Sequence, residues 1–170
     1  MARLVGLLRG INLGAKRRIA MADLRALLTE LGYEDVRTVL ASGNIIFTGP
    51  KAKAREKLET AIAERFGFQV DVVLRTMAEL HAVVADEPFG EEIDNDTRYF
   101  VVFLPSAPDV SSLDGQDFAP DKFAANGREI YAWCPDGMQN SRLMKALGKP
   151  HPGATTATVR NMATVKKLLE

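Results

Sequence analysis

Apolar residues in this chain fall either in unbroken short runs or at three- and four-residue spacings, so strands and helices separate by eye. Residues 3–8 are small and aliphatic apart from Arg3, which predicts a buried strand. In residues 21–31, Leu24, Leu27, Leu28 and Leu31 form one stripe with Asp23 in the first turn, the pattern of an amphipathic helix. Gly32 stops it as a left-handed cap. Residues 36–40 and 45–48 read as strands joined by the tight turn Ser42-Gly43-Asn44, and Gly49-Pro50 breaks the second of them. Leu58, Ile62 and Phe66 mark a helix over residues 51–66, closed by Gly67, and residues 70–74 form a fourth strand.

That order, β-α-β-β-α-β, predicts a ferredoxin-like arrangement with two helices on one face of an antiparallel sheet. The second half repeats the style less regularly. A helix is expected over residues 76–85, an acidic loop over 88–96, an apolar strand over 97–104 and a polar loop with at most a helical turn over 108–120. Asn126-Gly127 lies between residues 121–125 and 128–133, the strongest hairpin signal present. Asn140 is placed to cap a short helix over residues 140–147, ended by Gly148-Lys149-Pro150. A last strand over 155–159 and a last helix over 161–169 complete the reading. The expected fold is therefore α+β: a ferredoxin-like N-terminal half (1–75) and an α+β C-terminal half (76–170), both of βαββαβ type with mostly antiparallel sheets and packed as one unit.

Composition keeps this within ordinary globular bounds. Of 170 residues, 46% are hydrophobic and 26% charged, which excludes disorder. No apolar run approaches the roughly 20 residues of a membrane span, and Arg9 interrupts the N-terminal stretch before it reaches signal-peptide length. Cys134 is the single cysteine, so no disulfide framework exists and a cytoplasmic location is expected. Charge changes the picture more. The formal net charge is zero, yet residues 1–57 hold 11 Lys+Arg against 5 Asp+Glu, and residues 79–121 hold 1 against 11. Residues 139–170 are again basic, 6 against 1. Either the basic ends dock on the acidic middle, or they combine into a surface that attracts an anion.

The chemistry concentrates in the loop after the first strand, where Arg9, Lys16, Arg17 and Arg18 stand with Asn12, Gly10 and Gly14 ahead of a helix. Glycines admit close backbone approach and cations beside a helix start favour anions. The spacing is not that of a nucleotide-hydrolase phosphate loop, since Gly10 and Gly14 are three apart and Arg17 follows Lys16. Nor is it a dinucleotide fingerprint, which needs a third glycine. A solvated basic loop whose glycines serve only the turn accounts for the same residues. Ser42 and Asn44 suit a strand-to-strand turn whatever the protein does. Chain order alone leaves open whether that turn shares an end of the sheet with the basic loop. Near the C-terminus, Asn161 suits a helix cap, Thr164 follows it, and Arg160 stands just before the helix with a planar fork that fits phosphate or carboxylate.

Other sites fare worse. His81 and His151 are isolated, no His/Cys/Asp spacing matches a metal site, and residues 91–96 lack the central Gly and closing Glu of a calcium loop. An RNA-recognition sheet would carry aromatics on its two central strands. The first strand here has none and the third only Phe47, which excludes that mode but not phosphate-led binding.

Three separated blocks carry a resemblance: Arg9-Gly10-Ile11-Asn12 with Gly14, Lys16, Met21 and Leu24; Val36-Arg37-Thr38 with Ser42-Gly43-Asn44; and Thr158, Arg160-Asn161, Thr164 and Leu168. In these the chain resembles the family catalogued as domain of unknown function 1697. Ala15 departs from a glycine of that pattern and Met162 from a tryptophan. The resemblance implies a similar fold, of two ferredoxin-like halves, and implies no activity. The leading expectation is a binding protein for a phosphate-bearing ligand, nucleotide or nucleic acid, with no cofactor and no membrane partner. Its contacts would be Arg9, Asn12, Lys16, Ser42, Asn44, Arg160, Asn161 and Thr164. The alternatives are a small metal-independent enzyme using the same cluster, and a scaffold whose polar residues are internal caps and salt bridges.

Overall fold

A computed structural model describes residues 1–148 and 157–170. The first six elements are β1 (Ala2–Leu8), α1 (Met21–Glu30), β2 (Glu34–Val39), β3 (Asn44–Gly49), α2 (Ala54–Phe66) and β4 (Val72–Thr76). Their sheet runs β2-β3-β1-β4 with every neighbouring pair antiparallel, the ferredoxin-like order that the element sequence predicts. Alternate strand residues Leu4, Leu8, Ile45, Phe47 and Val72 share one core with Leu24, Leu28, Leu58 and Ile62 of the two helices. Tyr33 packs edge-on against Phe47 at 4.7 Å between ring centroids. A Cβ at Gly49 would lie 2.5 Å from the Tyr33 ring, so β3 ends in the one residue that leaves room for it.

Helix ends follow the glycines. Gly32 and Gly67 both adopt the left-handed conformation just past α1 and α2, at φ 91° and 83°. The predicted start of α2 needs correction: the helix begins at Ala54 rather than residue 51, because Lys53 is itself left-handed, at φ 59°. A strand prediction is also too long. β2 stops at Val39, and Leu40 turns outward with φ 62°.

The chain continues with α3 (Met77–Ala85), β5 (Tyr99–Phe103), β6 (Lys122–Asn126), β7 (Glu129–Trp133), α4 (Arg142–Leu147), β8 (Thr158–Asn161) and α5 (Met162–Leu168). Thr76 and Glu79 open α3 as a reciprocal pair: Thr76 Oγ1 accepts from the Glu79 N–H, and Glu79 returns a carboxylate oxygen to the Thr76 N–H. The second sheet is ordered β6-β7-β5-β8, again antiparallel throughout. Matched strand for strand, this is the order of the first sheet. Where the first has α1, the second has only a polar connection with one 3-10 turn at Ser111–Leu113. Its core gathers Phe100, Val102, Leu104, Ile130, Ala132, Leu143 and Leu147. The expected cap Asn140 is replaced by Ser141, whose Oγ accepts from the Met144 N–H at 3.0 Å. The predicted strand over 155–159 appears as Thr158–Asn161; residues 155 and 156 lie outside the described residues, as do Lys149, Pro150 and His151.

The chain divides into two compact units, Met1–His81 with Leu169, and Ala82–Leu168 with Glu170. The first carries 13 Lys+Arg against 9 Asp+Glu and the second 9 against 13, so a neutral chain consists of a cationic unit and an anionic one. Among the described residues, no helix is long and apolar enough to cross a membrane.

Candidate functional site

β1 and β2 each run antiparallel to β3 and are therefore parallel to one another, so their C-terminal ends share one end of the sheet. β4 starts at that same end, because it too is antiparallel to β1. Three loops consequently meet there: residues 9–20, residues 40–43 and residues 67–71. The backbone joins them directly. The Leu8 N–H donates to Gly43 O at 2.9 Å, and the Arg9 N–H donates to Asp71 O at 3.0 Å. Gly43 is left-handed at φ 93°, and a Cβ there would fall 2.8 Å from the Leu8 Cβ and 2.9 Å from Ile11 Cδ1. Only glycine lets the Ser-Gly-Asn turn lie this close to the basic loop.

Asn12 closes that loop. At φ 56° it is left-handed, which asparagine tolerates better than most side chains. Its Nδ2 donates to Ile19 O at 2.9 Å and to Ala41 O at 2.7 Å, while Oδ1 accepts from the Ile19 N–H at 2.9 Å. Both amide hydrogens are thereby used, one inside the loop and one across to the neighbouring turn. Asn44 is fully buried and donates to Val39 O at 2.7 Å and to the Ser42 hydroxyl at 3.0 Å, shaping the turn from within. The cations of the loop differ in role. Arg9, Lys16 and Arg18 are exposed. Arg17 is a brace: its Nε donates to Gly10 O and a terminal nitrogen donates to Gln69 O, both at 2.9 Å, and its guanidinium lies 5.1 Å from the centre of the Phe68 ring. Leu13 at the loop tip is 85% exposed and Leu40 in the adjoining turn 49%.

Five of the eight sequence-predicted contacts, Arg9, Asn12, Lys16, Ser42 and Asn44, therefore gather at one end of the first sheet. The other three belong to the second unit and form a group of their own around β8 and α5. Asn161 Oδ1 accepts from the Thr164 N–H at 2.9 Å and caps α5. Arg160 is buried on β8, and its guanidinium donates to Thr158 Oγ1 and to Val159 O, each at 2.9 Å. Burial pulls its pKa down to about 10. The bracing role of Arg17 has no signal in the sequence, because two of its partners, Phe68 and Gln69, stand more than fifty residues away; nor has the exposure of Leu13 and Leu40.

The second unit also holds a polar cluster that spacing does not reveal. Ser141 Oγ donates to Asp121 Oδ2 at 2.6 Å and receives the Cys134 thiol at 3.5 Å, beside a depression of about 110 Å³. Burial pushes the Cys134 thiol up, so it stays protonated at neutral pH and is no nucleophile there. Ser141 already serves the α4 cap. Among the described residues, no three of His, Cys, Asp and Glu assemble to hold a metal ion.

Residues 1–131 match the model of a family described as protein of unknown function, DUF1697. The match takes in the first two motif blocks and stops short of the third. The chain also resembles a solved structure, that of the conserved bacterial protein SP0830 from Streptococcus pneumoniae. The TM-score is 0.78 and the identity 28%, over 98% of this chain and 96% of that one. No match was found among curated proteins.

Proposed function

We propose, for a chain that belongs to the DUF1697 family of proteins of unknown function, that the loop end of its first unit binds a phosphate-bearing ligand, a nucleotide or nucleic acid. The observation that carries this reading is the exposed cation set Arg9, Lys16 and Arg18 on a loop held in shape by Asn12 and Arg17 beside the Ser42 turn. Cations on a pre-formed loop meet an anion without first ordering the backbone, so less of the contact energy is spent on ordering. The surplus of positive charge on the same unit draws anions toward it. Arg9, Lys16 and Arg18 would contact phosphate oxygens, and the Ser42 hydroxyl would orient them. For Asn12, Asn44, Asn161 and Thr164, the hydrogen bonds described above favour the scaffold alternative, in which these residues hold loops and caps. A single buried thiol fits a reducing compartment, and a cytoplasmic location is part of this proposal.

The test is fluorescence anisotropy with a labelled oligonucleotide over a salt series, alongside thermal shifts with nucleotides and sugar phosphates. Binding should weaken linearly in log–log terms with salt, and Lys16→Ala with Arg18→Ala should flatten that slope by about 2. Absence of binding at low salt, with no thermal shift from any phosphate compound, rejects the proposal.

A further inference from the structure

Resting on the phosphate reading, we infer that the ligand of this loop end is single-stranded nucleic acid, read through its unpaired bases as well as its phosphates. Phosphate alone explains the cations but not what stands among them. Leu13 and Leu40 are two of the few large apolar side chains left in water, and they sit on the two loops that Asn12 joins. Leu13 follows Asn12 and Leu40 precedes Ala41, the two residues joined by the 2.7 Å bond, so these exposed leucines flank the junction between the basic loop and the turn. Leu40 is held in a left-handed conformation that a bulky side chain resists, so its outward position is maintained against backbone strain.

Arg17 supplies an independent sign. Its guanidinium edges are occupied by Gly10 O and Gln69 O and it lies over Phe68, yet the residue remains exposed. A guanidinium fixed in this way serves less as a mobile phosphate clamp than as a platform on which a base can stack. An unpaired nucleotide offers an apolar face next to its phosphate, which matches leucine and arginine platforms set among Lys16, Arg18 and Arg9. A duplex keeps those base faces stacked inside and has only phosphates to give this surface.

The experiment compares one labelled strand of about 12 nucleotides, as RNA and as DNA, with its own duplex, against the whole protein in anisotropy titrations. The single strand should bind at least about fivefold more tightly than the duplex. Leu13→Ser, at an exposed tip where folding is not at stake, should remove that preference while leaving duplex binding in place. Lys16→Ala should weaken both forms alike. Equal, salt-dependent binding of strand and duplex, unchanged by Leu13→Ser, overturns this inference and leaves the phosphate proposal standing. Failure of both forms to bind at low salt removes both. Leu13-dependent capture by anionic lipid vesicles in place of the single strand also overturns it.

Discussion

Asn12 makes three side-chain hydrogen bonds from a backbone conformation that alanine resists, so two losses coincide if it is truncated. Asn12→Ala should cost about 2–3 kcal/mol, from the orphaned Ile19 and Ala41 groups plus left-handed strain. Urea unfolding measures this; a loss under about 0.5 kcal/mol, the range of ordinary surface changes, would show that the loop is not held by this amide. Lys16→Ala should stay within that surface range, since its side chain is exposed and tied into no core. The pair of variants separates the residues that build the loop from those that face outward. In the sequence they look alike, as polar neighbours in one glycine-rich stretch, because a hydrogen bond from residue 12 to residue 41 leaves no trace in local spacing.

At the scale of elements, apolar periodicity and turn signals located the eight strands and five α-helices among the described residues but not the 3-10 turns Gly90–Glu92 and Asp96–Arg98, and most other errors fell at element ends. The end of α4 shows why. Asn140 and Ser141 are both good cap residues, and the choice depends on which side chain reaches the N–H two or three positions into the helix. Ser141 does so while also donating to Asp121. Ser141→Ala should therefore destabilise by about 1–2 kcal/mol and Asn140→Ala by almost nothing, measured as shifts in thermal midpoint. Equal effects would mean that the cap is shared. Leu40 is the complementary case. Its apolar side chain extends the β2 pattern by one residue, whereas the turn that follows requires a left-handed backbone there.

For the whole molecule, the buried titratable groups set how stability responds to base. Burial raises the pKa of Cys134 above its usual 9.0, and those of Tyr33, Tyr99 and Tyr131 above 10.0. For Tyr99 the bond to Glu87 adds to the rise. A raised folded pKa favours the fold while the group is protonated in both states, and that advantage fades once the unfolded chain can ionise. Arg160 acts in the opposite sense above its lowered value of about 10. Three phenols and a thiol outweigh one guanidinium. Stability should fall from about pH 9 and more steeply past 10, each group contributing at most about 1.4 kcal/mol per pH unit. Thermal melts between pH 8 and 11 check this, and a flat profile would contradict it. The cationic and anionic units should also respond differently to polyanions, since charge is segregated between them.

By itself, the order of apolar runs determined the α+β class and the ferredoxin-like strand order, because side-chain periodicity is set by local backbone geometry and survives in one dimension. It also marked the basic loop and the Ser-Gly-Asn turn as chemically unusual. Only the tertiary structure decided that these two meet, that Asn12 and Arg17 brace rather than reach outward, and that Arg160 belongs to a separate group. Those outcomes depend on strand direction and on contacts between residues tens of positions apart, which local spacing does not encode.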